Sequence, residues 1–334
     1  MPLSQPPRWL FALKGVLAAV VVVALVRLAD PAEVRHAVAT ADLRLALLAL
    51  ALVPVNIGLE TYRWWRLVRR LAPEVRYTEA LRAVVGSYPL GLLTPGRVGD
   101  YVGRTVFLRA IPGGASAALT FGERMATLAA CLAGGLLALK PFLDAQVAPS
   151  PLWAAVTGAG LVATGALVAS ILFPSLMRAT LGTLLPFEPV RRAARAFDAI
   201  PQEEGAALLA LSALRYVVFS TQFVLLVHAL APGVPMLGSV VAVALVFFSK
   251  SAIPQITLGD LGIREGAAVY FLAAYGVDPA AALDASLGLF ALNLVLPSLV
   301  GVPLLLRLQL RRQPAGQADE RDEPGEPAPA RVRA

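Results

Sequence analysis

Six long apolar runs constrain this chain more than any other feature. They lie at residues 9–28, 43–59, 115–139, 152–173, 206–230 and 281–306. An α-helix of about 20 apolar residues is what it takes to cross a hydrocarbon core of about 30 Å. One soluble core could not hide them all: 57% of the 334 residues are apolar and 15% charged, against roughly 45–50% and 25% in soluble proteins. The chain reads as an all-α polytopic membrane protein with six full transmembrane helices. The first run follows Arg8 and resembles a signal peptide, but Arg27 ends it without a convincing small-x-small cleavage site, so it reads as a retained anchor.

Two further apolar regions are built differently. Residues 79–93 and 98–111, and again 237–253 and 261–276, are pairs of short segments around a Pro/Gly-rich break. Segments of that length do not span a bilayer, so each pair reads as a re-entrant broken-helix hairpin. With the amino terminus inside, Arg8, Lys14, Arg63, Arg66, Arg69, Arg70, Arg76, Arg178, Arg191, Arg192 and Arg195 fall on the cytoplasmic side, and Arg27, Arg35, Arg44 and Lys140 outside. Eleven basic residues against four favours this orientation, with both termini cytoplasmic, in a cell membrane. Residues 9–140 and 151–306 then share the order span, span, hairpin, span but enter from opposite sides, which is an inverted repeat. The tips TPGRVGD (Thr94 to Asp100) and TLGDLGI (Thr257 to Ile263) match at Thr, Gly and Gly; broken helices in inverted repeats are a transporter plan.

Residues 1–312 make one transmembrane domain. Phe187, Val190, Ala194, Phe197 and Ile200 recur at helical spacing within 186–204 and predict an amphipathic helix on the cytoplasmic face. Residues 313–334 hold Pro, Gly, Ala and charge without an apolar run and read as a disordered cytoplasmic tail. The net charge of +7 follows largely from topology, so no nucleic-acid partner is expected. Cys131 stands alone, and His36 and His228 lie far apart in no zinc-binding pattern. Neither a metal nor a cofactor is expected, and no catalytic constellation is evident.

Charges inside apolar segments cost roughly 2.5–3.5 kcal/mol each on insertion scales, so those present are functional candidates. Pro95, Gly96 and Gly99 break the first hairpin and expose backbone amides that suit an anionic headgroup. Asp100 and Arg104 stand four apart on the returning helix and are expected to pair, leaving Arg97 for a phosphate. Glu123 and Arg124 sit within the third span and need partners from other helices; Glu123 with Arg97 or Arg104, and Arg124 with Asp100, are the expected combinations. Around Gly259 and Gly262 the second tip repeats the logic, with Asp260 and Arg264 four apart and Glu265 left to titrate or to pair with Lys250. Glu60 and Arg63, beside Trp64 and Trp65, read as interfacial anchors of the second span. Arg215 reads as either a snorkelling side chain or part of the site, Asn293 as an interhelical hydrogen-bonding residue, His228 as structural, and Asp284 as a further intramembrane charge.

The segments PLGLLTPGRVGDYVGRTVFLR (Pro89 to Arg109), FGERMATL (Phe121 to Leu128) and IPQITLGDLGIREGAAVYFL (Ile253 to Leu272) resemble the signatures of the lysylphosphatidylglycerol synthase transmembrane region, also called the flippase-like domain. Asp100 stands where that family usually has Glu, and residues 287–293 lack the arginine expected in the last span. The resemblance implies a lipid translocase handling an anionic or aminoacylated phospholipid or a polyprenyl-phosphate lipid. The expected substrate-binding residues are Arg97, Asp100, Arg104, Glu123, Arg124, Asp260, Arg264 and Glu265, and the expected partners are lipids with phosphate headgroups. In two-domain relatives a separate cytosolic domain aminoacylates the lipid; this sequence reads as a standalone member. The alternative is a membrane partner that anchors a separate lipid-modifying enzyme or glycosyltransferase without transporting anything itself.

Overall fold

The computed structural model describes residues 41–146, 150–184, 187–253 and 262–310. Every regular element among them is helical. Helices α1 (Leu43–Ala51) and α2 (Val53–Arg69) run on as one rod with a turn at Leu52, and Asp42 caps its start by accepting the Arg44 amide at 2.9 Å. Pro54 sits in the first turn of α2, where a missing N–H costs nothing. Five segments are long and apolar enough to cross a membrane: Leu43–Arg69, Gly113–Gln146, Pro151–Leu172, Gln202–Leu230 and Pro279–Leu308. They match five of the six expected spans. The first run, Asp260 and Gly259 of the second tip, and the tail all lie outside the described residues.

Helices α3 (Tyr77–Leu92) and α4 (Val98–Phe107) pack on each other and are joined by a tight turn. Gly96 and Arg97 both take left-handed backbone there, with φ of 58° and 56°. The Thr94 hydroxyl donates to the Leu90 carbonyl at 3.0 Å and accepts the Gly99 amide at 2.6 Å, closing the turn on itself. Close approach requires glycine: a Cβ on Gly99 would lie 1.9 Å from the Leu90 carbonyl oxygen, and one on Gly103 2.6 Å from Ser87 Cα. Small residues four apart let two helix backbones touch where lipid supplies no hydrophobic drive.

The third span is α5 (Gly113–Gln146) and the fourth α6 (Pro151–Leu172). Pro174 then begins α7 (Pro174–Leu184), an element the apolar pattern gave no sign of. The expected amphipathic helix is instead a short α8 (Glu188–Ala194) followed by a 3-10 turn over Arg195–Ala199. Pro201 accounts for the interruption, since the residue before a proline avoids helical backbone, and Ile200 is extended at φ −98° and ψ 112°. Only part of the expected apolar face is buried: Ala194, Phe197 and Ile200 face inward and Val190 is half-buried, but Phe187 is 64% exposed.

The fifth span, α9 (Gln202–Leu230), contacts α1, α2, α5, α6 and α12, so it lies at the centre of the bundle. A second short pair follows, α10 (Met236–Ala252) and α11 (Ile263–Ala273). The last span begins as α12 (Pro279–Phe290), passes through a π-helical turn at Ala291–Val295, and continues as α13 (Leu296–Leu310). Helix α13 packs on α3 and α10 packs on α5, so each short pair leans on the closing span of the other half of the chain.

Candidate functional site

Helix α2 carries Asn56, Glu60 and Arg63 at intervals of four and three, which puts them on one face. That face is turned inward. Glu60 is 5% exposed and Arg63 1%, so neither is the interfacial anchor expected from the adjoining tryptophans. The span expected to end at Leu59 continues to Arg69, and Arg66 and Arg70 at its far end hold Glu204 of α9 instead; Arg66 makes two bonds of 3.0 Å to that carboxylate.

Around Glu60 and Glu123 the charges form an alternating lattice. Glu60 accepts from Arg104 Nη2 at 2.5 Å through one oxygen, and from Arg215 Nη2 at 2.7 Å and the Tyr88 hydroxyl at 2.8 Å through the other. Glu123 accepts from Arg63 Nη2 at 2.6 Å and from Arg104 Nη1. Arg63 Nη1 continues to the hydroxyls of Ser212 at 2.5 Å and Thr127 at 2.9 Å. Four helices, α2, α4, α5 and α9, are thus tied together by two carboxylates and three arginines. Arg104 at 1% and Glu123 at 2% exposure are sealed from bulk solvent.

Asp100 does not pair with Arg104, contrary to their four-residue spacing. It bonds Arg124 of α5 and Arg97, the latter at 2.9 Å. Arg104 reaches past it because α2 and α5 place Glu60 and Glu123 directly ahead of its guanidinium, whereas Asp100 is turned against α3, where Gly91 leaves room for it. Arg97 is therefore paired rather than left over. The expected pairings of Glu123 with Arg104 and of Arg124 with Asp100 both form.

In the second half, Glu265 caps its own helix by accepting the Gly262 amide at 2.7 Å, and it bonds Arg264. Ser286 of α12 accepts from Arg264 Nε at 2.9 Å and donates to Glu265 at 3.2 Å. Glu265 is accordingly held by its own turn and by Ser286 of α12. Each of five arginines also lies over an aromatic ring: Arg97 on Tyr88, Arg104 on Trp64, Arg124 on Tyr101, Arg215 on Phe219 and Arg264 on Phe290, at 5.1–5.7 Å from ring centre.

These groups surround a cavity of about 470 Å³. Its walls include Arg63, Arg97, Arg104, Arg124, Arg215, Lys250 and Arg264, and two carboxylates, Glu60 and Glu123. One flank is apolar, formed by Phe219, Phe247, Leu289, Phe290 and Leu294. Both halves of the chain contribute. Asn56, Asn293 and Gln222 form a relay beside it: Asn56 donates to Asn293 at 2.6 Å, Asn293 to Gln222 at 3.1 Å, and Gln222 to the Ala49 carbonyl at 3.0 Å. Asn293 occupies the π-helical turn, and such turns concentrate at functional sites. His228 shares a hydrogen bond with Ser239 at 3.1 Å, Asp284 sits half-buried on α12, and Cys131 is buried in the cavity wall. Among the described residues, no three His, Cys, Asp or Glu side chains converge on a point where a metal could bind.

Of the expected site residues, Gly96, Arg97, Arg104, Glu123, Arg124 and Arg264 line this cavity, whereas Pro95, Gly99, Asp100, Gly262 and Glu265 do not. Glu60, Arg63 and Arg215 belong to it as firmly as any residue the sequence singled out. Their signal was the polar stripe on α2, hidden because it adjoins a tryptophan-arginine cluster of the kind that marks a membrane surface.

The family model for the lysylphosphatidylglycerol synthase TM region matches residues 11–301, and the chain belongs to that family. No curated protein and no solved structure matches it significantly. With its apolar helices, this makes the chain a multi-pass integral membrane protein.

Proposed function

We propose that this member of the lysylphosphatidylglycerol synthase transmembrane family is a lipid translocase that carries a phosphate-bearing headgroup between leaflets through the central cavity. The observation that carries the reading is the cavity itself: seven cationic side chains and two carboxylates on its walls, beside an apolar flank that suits a lipid chain. Arginines sequestered among spans are costly in a bilayer, and an anionic headgroup is the ligand that offsets the cost. The cargo classes are anionic or aminoacylated phospholipids and polyprenyl-phosphate lipids.

In this reading the two short pairs are re-entrant hairpins. Helices α3 and α4 have 16 and 10 residues and α10 and α11 have 17 and 11, so none exceeds about 26 Å at 1.5 Å per residue. Each hairpin opens to one leaflet, and the halves are an inverted repeat. The exchanged contacts, α10 on α5 and α13 on α3, support that symmetry, as does the meeting of α9 with α1 and α2, which are the second of the expected spans in each half. The protein sits in the cell membrane with both termini cytoplasmic. No nucleotide-binding loop occurs in the sequence, so movement runs downhill or is coupled to an ion.

The full chain reconstituted in liposomes should accelerate the movement of labelled phosphate-headgroup lipids, and Arg97→Ala should abolish the acceleration. A broad headgroup panel with no acceleration over empty vesicles would refute the reading. A partner-anchoring role has one observation of its own: Arg178, Arg191 and Arg195 line a surface groove with Glu188 between α7 and α8. Co-purification of a soluble enzyme that depends on those arginines, with the cavity charges dispensable, would favour it instead.

A further inference from the structure

The groove between α7 and α8 lies apart from the central cavity and has a chemistry of its own. On α7, Ser175, Arg178, Ala179 and Gly182 share one face; opposite them stand Glu188, Arg191 and Arg195, again at helical spacing. The two faces enclose about 540 Å³. The room comes from the small residues of α7: a Cβ on Gly182 would meet nothing within 4 Å.

Its arginines are loosely held. Arg178 donates to Asp198 at 2.7 Å, but both side chains are about half exposed. Glu188 stands 3.5 Å from Arg195 and 3.9 Å from Arg192, longer than the usual hydrogen-bond length of about 2.7–3.2 Å. Arg191 makes no ion pair at all among the described residues. The groove therefore offers guanidinium groups that a phosphate can take without breaking a buried pair.

Chain length fixes where this groove sits. Helix α6 ends at Leu172 and α7 begins at Pro174, while the 3-10 turn ends at Ala199 and α9 begins at Gln202. Both α6 and α9 are long and apolar enough to cross a membrane, so the groove is tethered at both ends to the membrane surface and cannot stand off from it. Phe173, Leu176 and Phe187 beside it are exposed. Basic side chains flanked by exposed aromatic and aliphatic ones suit the boundary between headgroups and acyl chains, and suit a water-borne ligand poorly.

We infer that this groove seats the phosphate of an anionic phospholipid from the leaflet at whose surface α6 ends, held by Arg178, Arg191 and Arg195. The site does not rest on transport through the central cavity. Its occupant bears on the bundle through Phe197 of the 3-10 turn, whose ring lies 3.0 Å from where a Cβ on Gly122 would stand, one residue before Glu123. A lipid that clasps α7 to α8 thus steadies that turn on α5 beside the charge lattice.

Hydrogen exchange on the full chain in nanodiscs tests this. Phosphatidylglycerol added to phosphatidylcholine should slow exchange over residues 187–199 by about 5-fold or more, the scale of one arginine's attraction to an anionic surface. Arg191→Gln with Arg195→Gln should remove the protection. Ala179→Trp, which fills the groove and keeps every charge, should remove it too. Arg97→Ala, in the cavity, should leave it in place. No protection by phosphatidylglycerol, or protection that survives both groove variants or vanishes in Arg97→Ala, overturns the site. Inorganic phosphate protecting phosphatidylcholine discs equally well would make the occupant a soluble anion and overturn the lipid assignment. The acidic stretch at residues 319–326 is the rival occupant. Protection already present in phosphatidylcholine and lost when Asp319→Asn, Glu320→Gln, Asp322→Asn, Glu323→Gln and Glu326→Gln are combined would give the groove to that stretch and likewise overturn the proposal.

Discussion

Replacing Glu123 by Gln should be among the most damaging conservative substitutions in the bundle. The carboxylate joins Arg63 and Arg104, which are each 1% exposed. Gln keeps the size and one acceptor oxygen but removes the charge. Arg104 retains Glu60, whereas Arg63 is left with only the Ser212 and Thr127 hydroxyls, and neither arginine can become neutral. Removing one partner from a buried ion pair typically costs about 3–5 kcal/mol, because the remaining charge stays buried. The single cysteine supplies the assay: Cys131 is 5% exposed on the same helix, so a thiol-reactive dye reports unfolding during a heating ramp in detergent. A fall in melting temperature on the order of 5–15 °C is expected from the usual stability-to-temperature conversion. Lys140→Ala, which breaks a pair whose side chains are 81% and 63% exposed, should shift it by little, as surface pairs contribute about 0–1 kcal/mol. The double change Arg63→Met with Glu123→Met should recover much of the loss, since a well-packed apolar pair replaces a buried ionic one at little cost. A Glu123→Gln protein that melts within about 2 °C of the native one would show that the lattice does not hold these helices, and the reasoning would fail.

Three further outcomes are expected. Gly99→Leu or Gly103→Leu should prevent α3 and α4 from closing, with loss of folded protein by size-exclusion chromatography, because a Cβ alone already meets Leu90 and Ser87. Asn293→Leu should leave the fold intact but lower stability by roughly 1–2 kcal/mol in the same thiol assay, the scale of interhelical polar contacts in membranes, since Asn56 and Gln222 both lose their shared partner. Glu204→Gln should weaken the clasp between α2 and α9 made by Arg66 and Arg70, and hydrogen exchange should rise at the end of α2 around Arg66 while residues near Glu123 stay protected.

Much of the architecture was legible because lipid enforces a simple rule: a span must be long and apolar, and five such segments appear where their runs predict. The two short pairs were legible for the same reason. Charge placement was read less well. Asp100 and Arg104 have the spacing of an intrahelical pair, yet tertiary partners on α2 and α5 override it. Glu60 and Arg63 were assigned to a membrane surface because Trp64, Trp65 and Arg66 follow them, but helical periodicity turns the first two inward and leaves Arg66 and Arg69 toward the end of the helix. Sequence near a helix end does not reveal how far the helix continues. Arg124 and Glu123 were better constrained: adjacent charges cannot face one another on a helix, so partners on other elements were required, and Asp100 and Arg104 supply them. Asn293 was foreseen as an interhelical donor, while the π-helical turn that places it beside Asn56 and Gln222 has no signature in the surrounding apolar residues.

The account stands most directly on whether a lipid headgroup occupies the arginine-lined cavity. A cryo-EM structure of the full chain in nanodiscs containing phosphatidic acid tests this. Phosphate density within hydrogen-bonding distance of Arg215 and Arg63, with the acyl chain leaving along Phe219 and Phe247, is the predicted result. A cavity holding only water or small ions, with lipid confined to the outer surface of the bundle, would contradict it.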